Sequence, residues 1–159
     1  MGRYDELYLR PGARLSTVWL NAIVDALNEL ADKAFSSQIR SRVLSMSPVP
    51  GGGGSYGSKV SATPPQYRLW VIVGAKITWI GPFQDGEESK VRITVTFSDS
   101  STSYIEKSSS SPQEIWLSSM EIFTLWKDSV GVQKIEVDSS SNKDSTSIGT
   151  IATIYCIEA

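Results

Sequence analysis

The hydrophobic period changes once along this chain, at Pro48-Val49-Pro50-Gly51-Gly52-Gly53-Gly54. Before that run, apolar residues recur at Leu20, Val24, Leu27, Ala31 and Ala34, in steps of four and three that line one side of a helix. After it, apolar and polar residues alternate, the pattern of strands that bury one face. The two periods demand two kinds of element. The sequence therefore predicts an N-terminal arm with an amphipathic helix over 1–46, a Pro/Gly/Ser-rich linker over 47–64, and a β head over 65–159.

The helix is predicted over about 15–44, with Ser16 or Thr17 as N-cap. Trp19, Ile23, Ala26 and Leu30 form a second apolar stripe beside the first, and Asn21, Asp25, Asn28, Glu29 and Asp32 make the wet side. Residues 36–47 continue the helix more weakly through Ile39, Val43 and Leu44, until Pro48 and Pro50 stop it. An isolated helix of this length is marginal in water. Its wide apolar arc calls for a partner: the chain's own head, other copies, or another protein. The candidate oligomerisation or docking residues are Trp19, Leu20, Ile23, Val24, Leu27, Leu30, Ala31 and Ala34.

In the head, the clearest strand is Val91–Phe97, with Val91, Ile93, Val95 and Phe97 on one face. Gln66–Ile80 reads as a long strand bent at Gly74-Ala75. Tyr104–Glu106, Glu114–Leu117, Ile122–Trp126, Gln133–Val137 and Ser147–Ile157 read as further strands, with Ser139–Ser145 as a polar hairpin tip. Short strands at this spacing predict a mainly β fold, an antiparallel sandwich (jelly-roll-like) or small barrel, preceded by the amphipathic α-helix.

The 159 residues contain no histidine and one cysteine. Ser-His-Asp and Cys-His catalysis and His- or Cys-based zinc sites are thereby excluded. The glycines give two coincidences, Gly52-x-Gly54-x-x-Gly57 and Gly52-x-x-x-x-Gly57-Ser58-Lys59. The first lacks the strand before and helix after that a dinucleotide loop needs, and the second has its final Lys and Ser reversed. Both read as linker. Asp138, Asn142 and Asp144 lack the spacing of a calcium loop and read as turn residues, with Asp138 and Asp144 the nearest approach to a weak cation site. The expectation is a non-enzymatic chain with no cofactor and no metal.

Cys156 sits in an apolar strand pattern and reads as a small buried hydrophobe. Trp70, Trp79, Trp116 and Trp126 fall in predicted strands, where they are core or interface residues, or else a platform for sugar rings. The net charge of −2, with residues 1–46 near +1 and the rest near −3, gives no basic surface for nucleic acid. No segment is long and apolar enough to span a membrane. Met1–Glu6 lacks the apolar core of a signal peptide, so synthesis in a cytoplasm is expected.

The stretch Leu9-Arg10-Pro11-Gly12-Ala13-Arg14-Leu15-Ser16-Thr17-Val18-Trp19-Leu20-Asn21-Ala22-Ile23-Val24-Asp25-Ala26-Leu27 resembles the N-terminal segments of viral tail-fibre and spike proteins. Those join Pro-Gly, Ser/Thr and Trp-x-Asn to a short amphipathic helix that attaches or trimerises the protein. The resemblance implies a virion structural or adhesion role in a phage or archaeal virus. It also implies a homo-oligomer, with a trimer favoured, or docking on other virion proteins, and glycans as a possible target of the head. Virion or extracellular localisation would follow from assembly. No shaft separates arm from head, which fits a short spike, turret or decoration subunit better than a long fibre.

Overall fold

The computed structural model describes residues 17–38 and 40–159, with the backbone alone for Trp19 and residues 31–38. It contains two compact units that divide between Ile39 and Arg40.

In the first unit, helix α1 spans Thr17–Gln38. Leu20, Val24, Leu27 and Leu30 are all about half exposed or more. The Pro-Gly lead-in at 1–16 lies outside the described residues.

The second unit is built from eight strands: β1 (Arg40–Met46), β2 (Val60–Ala62), β3 (Trp70–Ile80), β4 (Ser89–Phe97), β5 (Thr102–Ser109), β6 (Gln113–Trp116), β7 (Val132–Ser141) and β8 (Gly149–Glu158). A short helix, α2 (Ser119–Thr124), stands between β6 and β7. The ladders join β1 to β8, β2 to β7, β3 to β6 and β4 to β5, all antiparallel. This is one long hairpin of paired strands. The β3–β8 and β4–β7 ladders roll it into a four-stranded sheet β1-β8-β3-β6 and another of order β2-β7-β4-β5. Only the Trp70–Val132 pair bridges the two. Nested pairing of this kind defines a jelly roll, so the expected mainly β antiparallel fold is observed.

Alternation supplies the core. Val91, Ile93, Val95 and Phe97 of β4 are buried on one side, as are Ile77 and Trp79 of β3, Ile135 and Val137 of β7, and Ala152, Ile154 and Cys156 of β8. These residues from both sheets form a single apolar cluster, which is the main source of the unit's stability. In β3 the register shifts between Ile72 and Gly74, the bulge that Gly74-Ala75 predicts.

Four expectations are corrected. The helix does not extend over 40–47: Arg40–Met46 is β1, paired residue for residue with β8. Leu44 and Met46 pack on the core from this strand, and Arg42 donates to Glu158. Non-local pairing thus overrides a helical reading. Residues 47–64 are not a free linker, because β2 lies within them and the glycine run is hydrogen-bonded to β7 and the turn after it. The second unit therefore begins at Arg40 rather than at 65. Ile122–Trp126 is not a strand. Ser118 and Glu121 form a capping box that starts α2, with Ile122 on its buried side. Ser139–Ser141, read as part of a hairpin tip, complete β7 and are buried.

Candidate functional site

The second unit has two outer faces of opposite character. On β2-β7-β4-β5 the register places Asp138, Arg92 and Glu106 in one row, Ser61, Glu136, Thr94 and Tyr104 in the next, and Lys134, Thr96 and Thr102 beyond. Every one is polar. Arg92 donates to both carboxylate oxygens of Asp138, at 3.2 and 2.7 Å, and its guanidinium lies 4.1 Å from the centre of the Tyr56 ring. The Tyr56 hydroxyl donates to Glu106. Glu136 sits between Lys59 and Lys134, at 2.6 and 2.7 Å, and hydrogen bonds from these two lysines hold its carboxyl below the usual range. The charges on this face are neutralised by one another.

On β1-β8-β3-β6 the rows run Ser41, Ile157, Val71; then Val43, Tyr155, Gly74; then Ser45, Thr153, Lys76, Trp116. Val43, Val71, Val73, Trp116 and Ile157 are all exposed. Trp116 stacks on Tyr155 with ring centres 5.7 Å apart, and Lys76 Nζ lies 5.4 Å from the Trp116 ring centre. Lys76 also pairs with Glu114 at 2.6 Å.

Beside this face, the segment after β6 closes a gap in the edge of β3. Leu117 donates its backbone N–H to the Ala75 carbonyl, and the Trp126 indole donates to the Ile72 carbonyl. Both carbonyls flank the bulge, where neither β6 nor β7 reaches. The result is a cleft of about 380 Å³ between sheet and α2, lined by Val73, Trp116, Ile122, Phe123 and Trp126 among others. Phe123 packs edge-on to Trp126 with centres 5.0 Å apart, and Met120 on the same helix is exposed.

The four tryptophans thus separate into two pairs. Trp70 and Trp79 are buried, at 3% and 1% exposure, whereas Trp116 and Trp126 are 57% and 44% exposed. A ligand platform on all four is ruled out by that division, and the exposed pair lines one cleft. Of the expected docking residues on α1, Leu20, Val24, Leu27 and Leu30 are exposed and Ile23 is half-buried. The side chains of Trp19, Ala31 and Ala34 lie outside the described residues.

The glycine loop is not a phosphate cradle. Its amide donors are spent on carbonyls: Gly51 and Gly57 on Ser139, Gly53 on Lys143, and Gly54 on Ser141. Asp138 is held by Arg92, and no cluster among the described residues has the acids, cysteines or histidines to hold a metal. Two buried carboxylates escape a sequence reading. Glu158 accepts from Trp70 and from Arg42. Glu87 accepts from the Gln84 amide and the Ser141 hydroxyl; burial raises its pKa, but those bonds outweigh it and leave the group below its ordinary value. Each ties segments distant in sequence. Among the described residues no helix is long and apolar enough to cross a membrane.

What the pairing and the surfaces define is a jelly-roll β protein with one ion-paired outer face and one aromatic-apolar outer face. No family model matches the chain, and no curated protein matches it. Among solved structures it is similar to Desmodium yellow mottle tymovirus, at 12% identity and a TM-score of 0.38, over 76% of this chain and 85% of that one. It is also similar to the infectious bursal disease virus VP2 subviral particle, at 12% identity and a TM-score of 0.35, over 75% of this chain and 32% of the other. The jelly-roll assignment rests on the strand pairing itself.

Proposed function

We propose that this chain is a non-enzymatic structural subunit of a virion, a spike, turret or decoration subunit that oligomerises or docks through α1 and presents its jelly-roll head. The observation that carries the reading is the apolar surface of each unit: α1 exposes Leu20, Val24, Leu27 and Leu30, and one outer face of the head exposes Val43, Val71, Val73 and Trp116. Contiguous exposed apolar patches of this kind mark association surfaces. The jelly roll is an architecture shared by virus coat and lectin domains. The N-terminal resemblance to spike and fibre segments favours the virion.

Light scattering on the full chain and on a Leu20→Asp, Leu27→Asp double variant tests it. Association through α1 gives a multiple of 17.4 kDa for the first, a trimer being favoured, and a lower mass for the second, which still unfolds cooperatively. A monomer in both cases sinks self-association through α1.

A glycan-binding adhesion module is the second reading, favoured by Trp116 and Trp126 exposed along one cleft. Quenching of tryptophan fluorescence by glycans, lost in Trp116→Ala, would support it. A glycan panel without response would remove it.

A further inference from the structure

We infer that one end of the jelly roll encloses a binding site for ordered internal water, held between the two sheets by the Trp79 indole N–H and the Ser89 hydroxyl. The inference is independent of the reading of the chain as a virion subunit.

Strand pairing and two hydrogen bonds close a belt of residues around that end. In β3, Trp79 stands opposite Gln113 of β6 on one side and Thr150 of β8 on the other. Gln113 crosses to the second sheet, where its side-chain amide donates to the Ser109 hydroxyl at 2.5 Å. Ser109 stands opposite Ser89, and Ser89 opposite Ser141. Two residues back along β7 is Ser139. It accepts from the Thr150 hydroxyl at 3.1 Å, which returns the belt to the first sheet. All of these residues except Gln113 are buried.

The belt leaves room. Packed sheets stand about 10 Å apart, and further along β4 and β7 that gap is filled by Ile93, Val95, Ile135 and Val137. At 89, 139 and 141 the same strands carry serine, whose side chain is shorter. Space of this kind, lined by polar groups, is where buried water sits.

The belt also leaves two groups to satisfy. Ser141 donates to Glu87, and Ser109 donates to the Ser111 carbonyl. Trp79 Nε1 and Ser89 Oγ, by contrast, are buried without a hydrogen-bond partner in the protein. Such groups are costly to leave unpaired, and native interiors satisfy them with protein or ordered water. One water serves both: its oxygen accepts from the indole N–H, and it shares a hydrogen bond with the serine hydroxyl, which can donate or accept. Chemistry and burial select this ligand. The belt residues are neutral, so they call for no ion. Trp79 and Ser89 are 1% and 0% exposed, so nothing larger than solvent has a way in.

A crystal structure of the full chain, at a resolution that shows ordered solvent, tests the site. The expected result is a single-atom density peak at about 2.7–3.2 Å from both Trp79 Nε1 and Ser89 Oγ, as well ordered as the side chains around it. Trp79→Phe, which deletes the N–H, should lose the peak. No peak in the unaltered chain, an indole N–H bonded directly to a protein oxygen, or density larger than one atom overturns the inference. A peak unchanged in Trp79→Phe also overturns it, since the indole would then not be a ligand.

Discussion

Glu158 is a carboxylate almost without solvent contact, and what surrounds it sets an acid limit on the fold. Hydrogen bonds from Arg42 and then Trp70 hold its pKa below the ordinary glutamate value, against the opposing effect of burial. A lowered folded pKa means that the stabilisation is complete above the unfolded value, about 4.3, and fades as pH falls through the folded one. Glu87 and Glu136 act in the same direction. The melting temperature should therefore drop on acidification below about pH 4, and Glu158→Gln should flatten that drop; an unaltered acid slope in the variant would show that Glu158 is not coupled to folding. Cys156 makes the complementary case. It should resist a thiol reagent at pH 8 in the native protein and react at once in denaturant. The sequence shows Cys156 as a buried hydrophobe, because it sits in an alternating apolar strand. It shows nothing of Glu158, whose partners lie 88 and 116 residues away.

At the scale of the element, the glycine run and α2 show how chemistry overrides composition. Gly51–Gly57 has the make-up of a flexible spacer. Yet a Cβ on Gly57 would stand 2.1 Å from the Val49 carbonyl oxygen, whereas one on Gly54 would meet nothing within 4 Å. Gly57→Ala should therefore cost roughly 1–3 kcal/mol of overpacking strain. Gly54→Ala should cost only about 1 kcal/mol for its positive φ, a smaller loss by denaturant unfolding. Close backbone approach leaves no mark in composition, so the loop's role was not legible. The helix α2 was legible in part: Ser118-x-x-Glu121 announces a capping box, but the apolar run Ile122-Phe123 and Leu125-Trp126 reads equally as a strand. Ser118→Ala should cost about 1 kcal/mol and loosen the cleft that holds Trp126, seen as a red shift in tryptophan emission. In β4, by contrast, Val91–Phe97 shows its face directly, because its alternation is unbroken and β5 and β7 both pair with it in register as far as Thr96.

For the whole molecule, the two outer faces divide the work. The ion-paired face satisfies its own charges and suits contact with solvent, while the aromatic face and α1 are left with apolar area to cover. The expected dependence is on concentration: dilution should lower both the mass and the melting temperature of the full chain, since association that favours the folded form stabilises by mass action. A melting temperature independent of concentration would argue against any folded-state association. The amphipathic period of α1 was legible as an apolar stripe in the sequence. The aromatic face was not visible in advance, because Trp116 and Tyr155 become neighbours only through two ladders and the bulge between them.

The nested pairing also fixes an order of events during synthesis. Strand β8 is the inner neighbour of both β1 and β3, so neither has its main partner until the ribosome has passed residue 158. Until then the nascent chain carries two unpaired strand edges, a state prone to pairing with the wrong neighbour. The sheet can close only after β8 is free to pair, and folding by such distant contacts is slow. A chain stopped before Gly149 would lose the centre of that sheet and should remain unfolded, so the fold of this unit depends on β8.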